Sequence, residues 1–188
     1  IQIFNLTFGS KIYSWLIKIS LNRCMILGKI KKTWSPRDFK NLNYHLGNAG
    51  KPFAKIGASN DTMQNYKDSA GAYLCNDLPK KFIKIAESFG VDKTVVAMQK
   101  MNVGQVLPWH IDTCSTYIKN NNIKNKKDII RIIVFVDDTR PGHQLWIKDM
   151  LCAGEAGSYF GWKFGTKHMA ANLGEQDRYT LQITGIKN

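Results

Sequence analysis

The sequence predicts a mainly β fold, an antiparallel sandwich or barrel with supporting helices in the N-terminal half. From Thr94 onward, short apolar runs alternate with turn residues. Several strands at this density are typical of antiparallel sheets rather than of alternating βαβ units. The predicted strands are 94–101, 105–111, 129–136, 144–149, 156–162, 166–172 and 178–185.

The first predicted helix begins at Ser35 and Pro36. Ser35 can cap the helix, proline suits its first turn, and Asp38 stands where a capping box places an acid. The helix is expected to end near Gly47. The stretch 48–73 is rich in Gly, Asn, Ser and Asp without a clear period, which predicts a loop or irregular structure.

A second helix is predicted between Asp77 and Gly90. Asp77 can cap its start, Phe82 and Ala86 recur at helical spacing, and Gly90 can end it. We expect the apolar stripe to pack on the sheet. Charged residues interrupt the apolar segment 12–30 before it reaches the roughly 20 residues of a membrane span, so a buried strand or helix is expected there.

Length and composition fit a single domain. The chain has 188 residues, of which 44% are hydrophobic and 22% are charged, as in ordinary globular proteins. Residues 1–188 are expected to form one domain, with 1–93 as supporting strands and helices and 94–186 as the β-barrel core. The four cysteines include no Cys-x-x-Cys pair, which argues against a zinc ribbon and favours reduced thiols in the cytoplasm.

The net charge of +13 would suit a polyanionic partner such as nucleic acid. A compositional origin competes with this interpretation, because the run 119–127 consists almost wholly of Lys and Asn. No nucleic-acid-binding motif accompanies the charge. The charge alone therefore names no partner.

His110 and Asp112 are the first candidate metal ligands. They stand two residues apart, so on an extended strand both side chains project from one face and can meet one ion. Iron(II) in an oxygenase is bound by two imidazoles and one carboxylate, with the remaining positions open. His168, at the entrance of another predicted strand, is the best candidate for the third ligand, although a lone histidine is more often structural.

The last predicted strand carries a candidate anion site. Arg178, Thr180 and Gln182 alternate with an apolar set, so the polar set shares one face. An inward-facing Arg and hydroxyl two residues apart suit a carboxylate, because the guanidinium offers a bidentate fork. The competing interpretation is that Arg178 points to solvent or pairs with Asp177.

The order of these residues resembles the 2-oxoglutarate- and Fe(II)-dependent oxygenase superfamily. A His-x-Asp pair is followed by a distal His, then by an Arg ten positions later and x-Thr. Residues 131–143 and 153–162 are also similar to the middle strands of the aspartyl/asparaginyl hydroxylase-like and prolyl hydroxylase-like branches. The resemblance covers roughly residues 94–186 and implies a double-stranded β-helix, the jelly-roll barrel shared with cupins.

The resemblance implies a non-haem Fe(II) dioxygenase that couples oxidative decarboxylation of 2-oxoglutarate to hydroxylation of a protein side chain or small molecule. Molecular oxygen is the second cosubstrate. The implied catalytic residues and ligands of Fe(II) are His110, Asp112 and His168. The implied contacts to 2-oxoglutarate are Arg178, Thr180 and Arg131, of which Arg131 could instead contact the substrate or lie at the surface.

Asp112 limits which branches of the superfamily this chain resembles. Animal aspartyl/asparaginyl β-hydroxylases have Gly at this position, so their substrate does not transfer, and a halogenase would need the carboxylate position vacated. His143 follows a turn signal and is interpreted as a strand-start histidine outside the ligand set. Trp109 and Trp162 flank the predicted site, where their expected role is packing that limits the access of solvent to the metal.

Two alternatives stay open at this level. A cupin-like metalloenzyme would share the barrel and the histidines but would need no carboxylate clamp of the Arg178 and Thr180 kind. A basic nucleic-acid-binding module would have structural histidines, salt-sensitive binding and no metal requirement. The substrate itself is expected to contact the loops 48–73 and 113–127, whose shapes composition does not determine.

Overall fold

The structure is a computed structural model that describes residues 2–8 and 11–17 by their backbone pairing and residues 25–46 and 71–187 with their side chains. The described strands are β1 (Gln2–Phe8), β2 (Lys11–Ile17), β3 (Met25–Lys29), β4 (His45–Leu46), β5 (Tyr73–Cys75), β6 (Asp92–Met101), β7 (Val106–His110), β8 (Ile129–Phe135), β9 (His143–Ile147), β10 (Met150–Leu151), β11 (Ser158–Lys163), β12 (His168–Asn172) and β13 (Arg178–Ile186). The described helices are α1 (Arg37–Lys40), α2 (Lys80–Glu87), α3 (Ser115–Asn120) and a 3₁₀ turn at Lys126–Asp128.

Two antiparallel sheets form the barrel. The large sheet has the order β3-β11-β8-β13-β6-β5-β4, and the small sheet has the order β10-β9-β12-β7. From β6 onward the chain passes back and forth between the two sheets, which is the winding of a double-stranded β-helix. The expected fold class is therefore confirmed. Strands β1 and β2 pair with each other as a separate antiparallel ribbon.

The connections between barrel strands fall at two opposite ends, because successive strands run in opposite directions. The pairing of Lys163 with Ile130 and of Ile186 with Ile129 marks one end of the large sheet, and that of Thr180 with Phe135 marks the other. The connections at the first end are 111–128, 148–149 and 164–167. The connections at the second end are 102–105, 136–142, 152–157 and 173–177.

Two hydrophobic clusters hold these layers together. One lies between the sheets and includes Met101, Phe135, Leu145 and Trp162. The other lies between the large sheet and the helices. Alternation along β8 and β13 separates the clusters, because residues of opposite parity face opposite sides of a strand. The face of β13 that carries Arg178 and Thr180 is therefore the inward face of the barrel.

The first helix is much shorter than the sequence predicted. Asp38 accepts a hydrogen bond from the Ser35 backbone N–H at 2.7 Å, so this part of the predicted helix start is present. The helix ends at Lys40 rather than near Gly47, because the chain turns to place β4 beside β5. Burial of Phe39 beneath the sheet outweighs local helix propensity.

The second helix is confirmed, with a later start and an earlier end than predicted. It begins after Pro79 rather than at Asp77, which makes no side-chain cap, and Phe82 and Ala86 are fully buried against the sheet. Gly90 follows the helix with φ +60°, a left-handed conformation that glycine adopts without strain.

Other predicted segments are placed as follows. The apolar segment 12–30 contributes most of β2 and all of β3, and the side chains before Met25 lie outside the described residues. The predicted loop 48–73 lies almost wholly outside them as well, although Tyr73 begins β5. Within the described part of the chain, no helix has the length and apolar character needed to cross a membrane.

Candidate metal centre

Two histidines face each other across neighbouring strands of the small sheet. His110 is the last residue of β7, His168 is the first of β12, and the two are direct partners in the antiparallel register. Their ring centroids lie 4.3 Å apart. We call the end of the barrel where they meet the site end, and the opposite end the far end.

Asp112 joins the pair from the connection that follows β7. Its Oδ1 lies 3.6 Å from His110 Nε2, and its Oδ2 lies 3.6 Å from His168 Nε2. The three ligating atoms all lie within 4.8 Å of one another. Neighbouring ligands of an ion with bonds of about 2.1 Å are about 3 Å apart, so a small contraction would let this cluster hold one ion. The strand ends at His110, and Asp112 reaches the cluster from just beyond it.

Backbone carbonyls orient both imidazoles. His110 Nδ1 lies 2.7 Å from the Pro108 carbonyl oxygen, and His168 Nδ1 lies 3.0 Å from that of Thr166. A carbonyl only accepts hydrogen bonds, so each Nδ1 must carry the proton and donate it. Each Nε2 lone pair is then directed at the space beside Asp112, which is the tautomer that a metal ligand requires.

Burial and neighbouring charges act on all three groups. Burial lowers the pKa of His168, which keeps the imidazole neutral. Burial also opposes the charge on His110, but interactions with Asp112 outweigh it and raise its pKa. For Asp112, burial is again outweighed, here by His110, Arg131 and His168, so the pKa of this carboxyl lies well below its usual range. The Asp112 carboxylate is therefore anionic at neutral pH.

Arg131 lies beside the cluster on the inward face of β8. Its Nη2 donates to Asp112 Oδ2 at 3.0 Å and lies 3.9 Å from Cys114 Sγ. Its Nε is buried and has no hydrogen-bond partner among the described residues. The structure thus places Arg131 in contact with a candidate metal ligand, whereas the sequence suggested contact with 2-oxoglutarate or substrate. That role stays a prediction.

Replacing Arg131 with Met should weaken Fe(II) binding by about 10- to 100-fold, because groups that orient metal ligands contribute on that scale. The affinity would be measured anaerobically by competition with a chromophoric chelator. Arg131→Lys keeps the charge and should recover part of the loss. Unchanged affinity in both variants would show that the contact with Asp112 does not orient it for metal.

The two tryptophans beside the cluster lie in different surroundings. Trp162 is buried, and its ring centroid lies 4.6 Å from that of His168, so it shields the cluster from water as expected for a packing role. Trp109 is 44% exposed on the outer face of β7. The Lys167 ammonium lies 5.9 Å from its ring centroid. Sequence reasoning did not find this pair, because Lys167 comes from another connection.

Arg178 is buried on the inward face of β13. Its Nη1 lies 3.6 Å from Met101 Sδ, its Nη2 has no hydrogen-bond partner among the described residues, and its guanidinium lies over the Phe135 ring at 5.8 Å. Asp177 pairs instead with Lys100 at 3.0 Å. The alternatives in which Arg178 points to solvent or pairs with Asp177 are therefore wrong. Burial lowers the pKa of Arg178 to about 10.

Thr180 and Gln99 form a buried hydrogen-bonded pair on the inward face of the large sheet. Thr180 Oγ1 donates to Gln99 Oε1 at 3.2 Å, and both side chains are buried. Thr180 and Arg178 also line a cavity at the far end, together with Phe135, His143 and the acidic Asp137 and Asp138. The sequence indicated Thr180 but not Gln99, because a glutamine in a strand carries no signal of its own until the pairing of β6 with β13 is known.

His143 lies outside the ligand cluster. It is buried at the far end of β9, and its Nε2 lies 2.9 Å from the Gln176 carbonyl oxygen. Its Nδ1 accepts from the Arg140 backbone N–H at 3.4 Å. Both ring nitrogens are thus occupied by the backbone, which agrees with its omission from the predicted ligands.

Known proteins resemble this chain in structure and not in sequence. No protein-family model matches the sequence, and no curated protein matches it. Among solved structures, a 2OG-Fe(II) oxygenase family oxidoreductase from Burkholderia pseudomallei superposes with a TM-score of 0.51 at 10% identity, over 81% of this chain and 76% of that chain. This chain therefore shares the double-stranded β-helix fold of that oxygenase. The resemblance predicted from the motifs is confirmed to that extent.

Two further solved structures superpose with lower TM-scores. A prolyl-4-hydroxylase from Pseudomonas putida has a TM-score of 0.49 at 9% identity, over 81% of this chain and 96% of that one. A predicted oxalate decarboxylase from Thermotoga maritima has a TM-score of 0.40 at 14% identity, over 62% and 81%. At such identities the likeness concerns the fold, and function depends on the residues of this chain.

Proposed function

We propose that this protein is a non-haem Fe(II) dioxygenase that couples decarboxylation of 2-oxoglutarate to hydroxylation of a substrate. The observation that carries the proposal is the presence of two complementary sites on one barrel interior. One is the cluster of His110, Asp112 and His168, in which both Nε2 atoms face the Asp112 carboxylate. The other is the buried Arg178, whose Nη2 lacks a partner among the described residues.

The residues fit the proposed groups. Two imidazoles and one carboxylate are the ligand set that suits Fe(II) with open positions. A buried guanidinium without an acidic partner costs free energy unless an anion completes it, and a carboxylate matches its fork. Arg131, which contacts Asp112, and Phe135, which lies under Arg178, are four positions apart on β8, roughly 13 Å at 3.3 Å per residue. An arginine side chain and a five-carbon dicarboxylate can span that distance together.

Each residue then has a defined task. His110, Asp112 and His168 would hold the iron, Arg131 would orient Asp112, and Trp162 would exclude water behind His168. Arg178 and Thr180 would bind the distal carboxylate of 2-oxoglutarate and so fix its orientation. Bound Fe(II), with 2-oxoglutarate and dioxygen, supplies the oxidising chemistry, in which succinate and carbon dioxide are released and a substrate C–H bond is hydroxylated.

The protein's contribution is geometric and electrostatic. The two histidines are fixed by neighbouring strands and by carbonyl hydrogen bonds, so little reorganisation is needed when the metal binds. Thr180 is held by Gln99, whose amide nitrogen is a further donor available to a bound carboxylate. We include Gln99 in the proposed 2-oxoglutarate site.

The test is anaerobic visible absorption of metal-free protein after addition of Fe(II) and then 2-oxoglutarate. A broad charge-transfer band that requires both additions is expected. Succinate formation under air, measured by mass spectrometry, should require the same two additions. Bound iron without a band or succinate would favour a cupin-like metalloenzyme, and absence of iron binding would remove the enzyme proposal.

A further inference from the structure

The connections at the two ends of the barrel differ in charge. At the site end, the connections 111–128, 148–149 and 164–167 carry six lysines against three aspartates, one of which is Asp112. At the far end, the connections 102–105, 136–142, 152–157 and 173–177 carry five acids against Arg140. The excess positive charge of these connections is therefore concentrated at the end of the barrel that carries the candidate metal centre.

The site-end lysines are exposed and available to a partner. We call the set the basic rim; its members are Lys119, Lys124, Lys126, Lys127, Lys148 and Lys167. All six side chains are exposed. The strand-end residues Lys93, Lys163 and Lys187 add further positive charge at the same end, against Asp92. A field of one sign around a cleft attracts and orients a ligand of the opposite sign.

The longest connection of the rim is anchored rather than loose. Tyr117 donates from its hydroxyl to the Lys93 carbonyl oxygen at 3.0 Å. Lys93 Nζ in turn donates to the Asn121 carbonyl oxygen at 2.7 Å. Asn125 accepts from the Lys127 backbone N–H through its side chain at 3.1 Å and so fixes the 3₁₀ turn. The lysines near this turn therefore project from a preformed support beside the metal centre.

An aromatic surface lies within the rim. Trp109 immediately precedes His110, is 44% exposed, and lies on the outer face of its strand. Lys167 lies over its ring, and Ile111 beside it is 51% exposed. An exposed aromatic face next to a lysine matches the repeating unit of a single nucleic-acid strand, a base with its phosphate.

We propose that the basic rim and Trp109 bind single-stranded nucleic acid, and that a nucleotide of this strand is the substrate presented to the metal centre. The identification of the strand as substrate rests on the proposed dioxygenase function, whereas the binding itself does not. Lysines of the rim contact phosphates and Trp109 stacks on a base. A base paired within a duplex would have to leave the stack to reach a centre inside the barrel, which favours a single strand. An acidic peptide would use the lysines but would leave Trp109 without a stacking partner.

The test is fluorescence anisotropy with a labelled 20-nucleotide oligothymidylate and the metal-free full chain at low salt. Wild-type protein is expected to bind with a salt-dependent affinity. The double charge reversal Lys126→Glu with Lys127→Glu should weaken binding about tenfold or more and lower the salt slope by roughly 0.7 for each phosphate that the variant no longer neutralises. Trp109→Ala should weaken binding about fivefold or more.

The far end offers a matched control. Lys31 and Lys32 are also adjacent and exposed, and they follow β3 at that end, where Ile30 N–H bonds the Gly157 carbonyl. Lys31→Glu with Lys32→Glu changes the same number of charges. At about 0.1 M salt, where charges are screened beyond about 10 Å, it should leave affinity within about twofold, since these lysines lie away from the rim. Equal losses in the two double variants would overturn the proposed surface, because binding would then follow net charge alone.

Two competing ligands distinguish the proposed partner from other polyanions. Polyglutamate that displaces the oligonucleotide at equal charge concentration, together with an unaffected Trp109→Ala variant, would overturn the proposal in favour of an acidic peptide. A duplex of equal length that binds more tightly than the single strand would also contradict it. Because these experiments use metal-free protein, a failure here with an intact Fe(II) and 2-oxoglutarate band would leave the dioxygenase proposal standing.

Discussion

Replacing Arg178 with Met should raise the 2-oxoglutarate requirement about 100-fold or more while leaving Fe(II) binding intact, since truncating one partner of a buried charge pair costs several kcal/mol. The Arg178 side chain is only 5% exposed, and the residues lining the cavity beside it include no second arginine or lysine. Methionine keeps an unbranched apolar side chain in place of the arginine stem, so the change removes the charge and the donors. The requirement would be measured from succinate formation against 2-oxoglutarate concentration.

The same variant should be as stable as the wild type or more stable in the absence of ligand. A buried donor without a partner, such as Arg178 Nη2, costs about 1–3 kcal/mol, and methionine has no donor to satisfy. The free energy of unfolding would be measured by urea denaturation with and without 2-oxoglutarate. The clamp assignment fails if Arg178→Met retains the wild-type 2-oxoglutarate requirement, or if wild-type protein gains no stability from 2-oxoglutarate and Fe(II).

Replacing His168 with Ala is expected to reduce Fe(II) affinity by more than the roughly 100-fold that can follow loss of an orienting group, because a ligand itself is removed. The remaining His110 and Asp112 would offer only two protein donors. The absorption band that requires Fe(II) and 2-oxoglutarate should be absent. Anaerobic titration with Fe(II), followed by metal analysis of the desalted protein, would measure the loss.

His143→Ala is the matched control for this prediction. His143 is as buried as His168, at 7% exposure for both, and lies on the adjacent strand of the same sheet. Its ring nitrogens are bound to the backbone, so its loss should lower stability without changing the iron stoichiometry. Comparable loss of iron in both variants would mean that His168 supports the barrel rather than binding the metal.

Much of the barrel could be predicted because strand periodicity is a local property. Alternation of polar and apolar residues along 178–185 correctly indicated that Arg178 and Thr180 share one face, and the structure shows that this face is the interior. The seven predicted strands correspond to β6–β9 and β11–β13, with small shifts at the ends. The predicted run 144–149 ends early, at Ile147, because Lys148 adopts φ 55° in a tight turn before β10.

The errors arose where tertiary contacts outweighed local signals. Ser35, Pro36 and Asp38 marked a helix start, but the length of α1 depended on where β4 meets β5. The pairing of Arg131 with Asp112 and that of Thr180 with Gln99 join residues 19 and 81 positions apart, and neither spacing is specified by a motif.

The sequence by itself determined the strand periodicity, the order of the candidate ligands and the inward parity of Arg178, because these follow from residue type and spacing along one chain. Only the tertiary structure decided that β7 and β12 are neighbours with His110 opposite His168. It also decided that Arg178 has no acidic partner among the described residues and that the lysines of three separate connections surround one end of the barrel. These features depend on which strands pair and in which register, and that choice is made by burial of the whole core rather than by any local segment.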